Sequence, residues 1–115
     1  MGESLAHLHA LWFQGKLEFT PPVVDLAAQG FTLIGARIDR VARHEAAVVV
    51  YRVRNHPIEL FVWHERAAAA MPAVSRMARG FPVVEWGSGD LRFVAISDAD
   101  ATELERFARV LQSAP

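Results

Sequence analysis

Residues 46–63 constrain the fold more than any other part of the sequence. They hold two β-rich runs, at 46–53 and 57–63, on either side of the polar pair Asn55-His56. Two such runs around a short polar break predict a β-hairpin. In the first run both alternate sets of side chains are mostly apolar. The sequence therefore predicts that this strand lies inside a sheet and is covered on both faces.

Residues 4–14 are predicted to form a short amphipathic helix. Four large apolar residues fall on one helical stripe: Leu5, Leu8, Leu11 and Trp12. Ser4 is the expected N-cap of this helix. Residues 15–30 are predicted to be an extended connector, because the pair Pro21-Pro22 blocks a helix and restrains the residue that precedes it.

A sheet is predicted over residues 31–96. Its first strand runs from Phe31 to Val41, with Gly35 as either a β-bulge or a point of close approach. Two later strands flank the turn signal at residues 87–90. Between the central hairpin and these strands, residues 64–80 are assigned to a loop with helical pieces, since they combine an alanine-rich run with a proline.

The C-terminal helix is predicted over residues 100–112. Asp100 and Glu103 form a capping pattern. A stripe at helical spacing supplies the apolar side of this helix: Leu104, Phe107, Ala108 and Leu111. Residues 1–115 are thus predicted to form a single α+β domain, with about five mainly antiparallel strands in a meander-like sheet and a helix at each end.

Composition excludes several classes of function. The chain has 115 residues, a net charge of −1 and no cysteine. A nearly neutral chain lacks the basic surface that nucleic acid requires. Without cysteine, disulfides and a thiol nucleophile are excluded. No apolar run approaches the roughly 20 residues that cross a bilayer, and residues 1–4 lack the basic start of a signal peptide.

Candidate chemistry is sparse in this sequence. His7 and His9 point to different sides of the predicted helix and do not share an ion. His56 is separated from both His44 and His64 by the length of a strand. The serine between two glycines lies in a hairpin turn and lacks the strand-to-helix context of a nucleophile elbow. We therefore predict no catalytic, cofactor-binding or metal-binding residues, and a chain that is not an enzyme.

Two neighbouring segments carry a family resemblance. Residues 12–23 read WFQGKLEFTPPV and residues 25–31 read DLAAQGF. They resemble the motifs Trp-Phe-x-Gly-Lys-Leu-Asp-Phe-Ser-Pro-Pro-Val and Asp-Leu-Ala-x-x-Gly-Phe in the extracytoplasmic region of a group of bacterial transmembrane anti-sigma factors. The likeness extends over about residues 7–111. It departs from the family at Leu11, where a proline is usual, and at Pro57 and Glu59.

The resemblance implies a non-enzymatic sensory or regulatory domain on the periplasmic side of the inner membrane. Such a domain controls an extracytoplasmic-function sigma factor, and its partners are envelope proteins, among them a regulatory protease. The sigma factor and the membrane are reached only through a cytoplasmic segment and a transmembrane helix that this sequence does not contain, so the chain is expected to be an excised domain. A homo-oligomer is left open. The alternative is a small-molecule or metal-binding module of the cell envelope.

One segment is predicted to contact a partner protein. It combines aromatic residues with a proline pair in the connector: Trp12, Phe13, Phe19, Pro21 and Pro22. Aromatic side chains beside a rigid extended segment suit a preorganised contact. The competing interpretation is that these aromatics only fasten the first helix onto the sheet.

Overall fold

Six antiparallel strands form one sheet in the computed structural model of this chain, which describes residues 5–65 and 70–114. The strands pair in the order β1-β2-β3-β6-β5-β4. Along the chain the elements are α1 (Leu5–Phe13), a 3-10 turn (Ala27–Gln29), β1 (Phe31–Val41), β2 (His44–Val53), β3 (His56–His64), β4 (Met71–Ala78), β5 (Phe81–Ser88), β6 (Leu91–Ser97) and α2 (Ala101–Ser113).

The α+β class is confirmed, but the finer description of the fold is wrong. There are six strands because Met71–Ala78, which was assigned to the loop, forms edge strand β4. The sheet is not a single meander either, since two consecutive three-stranded meanders are joined by pairing of β3 with β6. Nor do the helices stand one at each end. The helix α2 lies against β5 and β6, whereas α1 contacts β1.

Local sequence signals place the strands in register. The chain turns between β2 and β3 at Arg54-Asn55, one residue earlier than predicted, with Arg54 in the left-handed region at φ 54°. The predicted bulge in β1 is present, because the register shifts between Leu33 and Gly35. These features leave β2 between β1 and β3, as its apolar sequence predicts.

One face of the sheet carries the main core. The helix α2 begins after Asp100, whose side chain accepts a hydrogen bond from the Glu103 N–H at 2.9 Å, as the capping pattern predicts. Its apolar stripe is buried against the sheet, and the Phe107 ring meets the edges of Phe31 and Tyr51 at centroid distances of 5.2 and 5.1 Å. Burial of these side chains supplies most of the driving force for folding.

The opposite face is covered by the sheet's own long side chains. Val48 and Val83 point to this face, yet their exposed fractions are only 0% and 2%. Arg37 on β1 reaches across β2 to Glu59 on β3 with an N–O distance of 2.9 Å, so this ion pair lies over the valines of β2. The hydrogen bond to Glu59 also raises the pKa of Arg37. In the part of the chain that the structure describes, a second apolar layer is thereby shielded from water by side chains of the sheet itself.

Candidate interaction surface

The first helix presents its large apolar side chains to solvent. Leu5, Leu8, Leu11 and Trp12 have exposed fractions of 41–49%, and we call these four residues the α1 stripe. The buried residues of the helix are Ala6 and Phe13. The predicted stripe exists, but it is the outward side of α1.

Small residues decide which side of α1 meets the sheet. Ala6, Ala10 and Phe13 recur at i, i+4 and i+7, so they share one side of the helix. The two alanines let the helix approach the domain closely, and Phe13 is buried with an exposed fraction of 1%. Phe13 also meets the Trp12 ring edge-on at a centroid distance of 5.1 Å. This packing leaves the bulkier leucines on the outside.

The five predicted contact residues separate into exposed and buried groups. Trp12 is exposed, whereas Phe13 and Pro21 are buried. Phe19 and Pro22 are half-buried, and Phe19 packs against the core. In this fold Trp12 is therefore the predicted residue most accessible to a partner, while Phe13 and Pro21 hold the segment in place.

A buried hydroxyl group fixes the connector that follows α1. The Tyr51 hydroxyl donates a hydrogen bond to the Val24 carbonyl at 2.7 Å and accepts one from the Val24 N–H at 3.3 Å. Burial raises the pKa of Tyr51 to about 12, because the ionised phenolate would lose its hydration. The central strand β2 thus positions the connector between α1 and β1.

A shallow groove lies between the α1 stripe and β1. It has a volume of about 260 Å³ and is lined by Leu8, His9, Trp12 and Ala36. Ala36 shortens the wall on the β1 side, because it has no side chain beyond Cβ. At the end of α1, the Lys16 ammonium lies over the Trp12 ring, 4.8 Å from its centroid. We call this feature the α1–β1 groove.

A polar cleft at one end of the sheet was missed by the sequence analysis. It has a volume of about 310 Å³ and is lined by Glu18, Phe19, Arg40, Arg43, His44, Glu45 and His64. His44 and His64 come together because β2 and β3 pair antiparallel, with Ala47 opposite Val62. The register of the predicted hairpin is the sequence signal that could have placed His44 near His64. From the sequence we consider only the separation of His56 from each of them.

Carboxylates pair with the histidines near this cleft. His64 Nε2 lies 2.9 Å from Asp90 Oδ2, and His44 Nε2 lies 3.6 Å from Glu65 Oε1. The His44 ring stacks on Trp63 at a centroid distance of 5.7 Å. Within residues 5–65 and 70–114, no group of three or more His, Asp or Glu side chains is arranged to hold a metal ion. Such partly exposed imidazole–carboxylate pairs offer hydrogen-bonding groups to a polar molecule.

Comparison with known proteins finds no matching family model, no matching curated protein and no matching solved structure. The likeness to anti-sigma factors therefore stays a prediction from sequence motifs. Among the helices of the described residues, none is long and apolar enough to cross a membrane.

Proposed function

We propose that this chain is a non-enzymatic regulatory domain that binds a protein partner through the α1 stripe. The observation that carries the proposal is the outward position of Leu5, Leu8, Leu11 and Trp12. Four large apolar side chains on one side of a surface helix form a contiguous patch, and such patches commonly mark interaction sites. Trp12 is a tryptophan, which is among the residue types enriched at the energetic centre of protein interfaces.

The finer proposal places this domain on the periplasmic side of a transmembrane anti-sigma factor. It is supported by the motifs in residues 12–31, which begin at Trp12, the last residue of the α1 stripe, and include the connector that Tyr51 holds. A partner that binds the docked helix stabilises the folded domain by mass action. A partner that binds α1 only when it is released shifts the domain toward an opened state. Either event changes the segment that leads into the domain.

A second candidate function is the binding of a small polar molecule in the cleft that contains His44 and His64. The specific observation in its favour is the convergence of two imidazoles with Arg40 and Arg43 on one cleft of about 310 Å³. It predicts that a His44→Ala, His64→Ala double variant changes regulation while α1 variants do not.

The leading proposal is tested with a Leu8→Ser, Trp12→Ser double variant in the full-length protein. The melting temperature of the domain and a sigma-dependent reporter are measured together. We expect a small change in melting temperature and a clear change in reporter output, because both side chains are exposed.

The matched control is a Val74→Ser, Met77→Ser double variant. These two residues are apolar side chains on β4, at the other edge of the sheet, and they are at least as exposed as Leu8 and Trp12. Unchanged output in the α1 variant, or an equal change in the β4 variant, contradicts the proposal.

A further inference from the structure

The edge of β1 beside the α1–β1 groove has backbone groups without a strand partner. Among the described residues, β1 pairs with β2 on one side, and on the other side it makes only a single bridge between Leu26 and Phe31. From Ala36 to Val41 the register with β2 is regular. Alternate residues in this stretch therefore direct their N–H and C=O groups away from the sheet, where another strand can add.

The groove lies on the same edge of the sheet. Its lining includes Ala36 of β1 together with Leu8, His9 and Trp12 of α1, and it includes no residue of β2. A strand added to β1 would therefore pass beside Leu8, His9 and Trp12 of α1. An apolar cavity of about 150 Å³ holds a benzene molecule. A groove of about 260 Å³ thus has room for one or two aliphatic side chains of the added strand.

The charges at this edge favour acidic residues in the added strand. The helix Leu5–Phe13 has no acidic residue, and Lys16 brings an ammonium group to the Trp12 end of the groove. In the free stretch of β1, Arg37 is paired with Asp39 and with Glu59 of β3, so Arg40 is the cation of this stretch that joins Lys16. A second copy of β1 would bring a strand of net positive charge to this edge, whereas an extended segment flanked by Asp or Glu would be attracted to Lys16 and Arg40.

The other edge of the sheet is less suited to strand addition. The second residue of strand β4 is Pro72, which has no N–H to donate, and the register of β4 shifts between Met71 and Val74. The chain thus has one edge with a regular unpaired stretch, an apolar groove and a positively charged rim. Among the residues that the structure describes, these three features coincide at β1.

We propose that the α1–β1 groove binds an extended peptide segment of a partner protein, which adds as a strand to β1. Aliphatic side chains of the segment occupy the space between Trp12, Leu8 and Ala36, and acidic residues flank them. This inference rests on the proposed function, because it assigns the α1 stripe as a contact surface. It adds the form and the chemistry of the partner.

The test uses the isolated domain and the probe acetyl-Glu-Leu-Val-Leu-Thr-Glu-amide. Two further peptides carry N-methyl groups on one or the other set of alternate residues. Binding is followed by NMR of the backbone amides. We expect shifts along Ala36 to Val41 and at Trp12. We also expect one N-methylated peptide to bind on the order of tenfold more weakly than the other, because only one set of N–H groups faces β1.

An Ala36→Leu variant, in which the longer side chain fills the groove, is expected to weaken binding of the probe by a similar factor. The matched control is Ala73→Leu on β4, which should bind like the parent. Equal binding of the two N-methylated peptides, shifts confined to β4, or a dimer that forms through β1 without peptide would each overturn the inference. The peptide arm needs no variant, so a folding defect in Ala36→Leu leaves the test intact.

This inference and the proposed function fail separately. If the probe does not bind but the Leu8→Ser, Trp12→Ser variant alters reporter output, strand addition is wrong and the contact surface stands. If the probe binds at β1 but reporter output is unchanged in the Leu8→Ser, Trp12→Ser variant, the proposed regulatory role is wrong and the peptide site stands.

Discussion

The two helices of this domain use their apolar stripes in opposite ways. In α2 the stripe of Leu104, Phe107, Ala108 and Leu111 is buried against the sheet. In α1 the stripe of Leu5, Leu8, Leu11 and Trp12 faces solvent. The opposite side of α2 carries charged residues, so that helix has only one side that can be buried at low cost. The opposite side of α1 is apolar too, and small residues there let it pack closely.

This comparison teaches that periodicity and polarity answer different questions. Periodicity shows which residues share a side of a helix. Polarity of the opposite side shows whether that side has to be buried. The large apolar residues of α1 recur at helical spacing, but both sides of this helix are apolar, so polarity does not show which side is buried. Packing of Phe13 against the core decides the orientation of α1.

The largest expected loss of stability comes from a substitution that removes the centre of the α2 stripe. Phe107→Ala should destabilise the domain by about 3–5 kcal/mol, because it leaves a cavity between the rings of Phe31 and Tyr51. Chemical denaturation followed by Trp fluorescence measures the loss. A cost close to zero would show that α2 is not packed as described and would remove the contrast with α1.

The next effect concerns the connector between α1 and β1, which Tyr51 holds in place. The pKa of Tyr51 is about 12 in the folded chain, against 10.0 when it is unperturbed. Stability that depends on the neutral phenol is therefore complete below pH 10 and is lost as the pH rises through 12. The loss should reach about 2–3 kcal/mol.

Tyr51 is the chain's single tyrosine, so ultraviolet absorbance of tyrosinate reports its titration directly. A Tyr51→Phe variant should lose this pH dependence. A midpoint near pH 10 in the folded protein would show that the hydroxyl is solvated and that the connector is not held at Val24.

A smaller effect tests the beginning of α2. Asp100→Ala should cost about 1 kcal/mol, because the Glu103 N–H loses its acceptor. Asp100→Ser, which retains a capping oxygen, is the matched control and should recover most of the stability. Equal denaturation midpoints for the alanine variant and the parent would show that packing alone holds α2.

The smallest expected effect is on the exposed helix. Leu8→Ala should change the free energy of unfolding by less than about 0.5 kcal/mol, since half of that side chain is already in water. Ala6→Leu, on the buried side of α1, is the informative companion and should destabilise by overpacking. If Leu8→Ala proves as costly as a core substitution, α1 packs through its stripe and the comparison with α2 is reversed.

Most of the predictable features are local. The capping of α2 by Asp100 and the bulge before Gly35 follow from residues only a few positions apart. The interior position of β2 follows from apolar residues on both of its faces. Strand β4 escaped prediction because six of its eight residues are exposed, so no buried alternation marks it. An edge strand forms from backbone pairing with its neighbour, which side-chain patterns do not encode.

The candidate surface was predictable only in part. Trp12 is an exposed residue of the predicted contact segment, but Phe13 and Pro21 of the same segment are buried. Neighbouring residues on a helix point to different sides, and which side turns inward depends on the shape of the sheet below. The position of His44 and His64 in one cleft likewise depends on the register of the hairpin.

By itself, the sequence determined the α+β class and, to within one residue, the turn between β2 and β3. It also determined the cap and the buried stripe of α2, and the presence of an apolar stripe on α1. Each depends on contacts between residues close in the chain or on a repeated polarity pattern. Only the tertiary structure decided that β3 pairs with β6, that ion pairs cover the second face, and that the α1 stripe points to solvent. Those outcomes depend on residues far apart in the chain that compete for the same surface, so no short stretch of sequence specifies them.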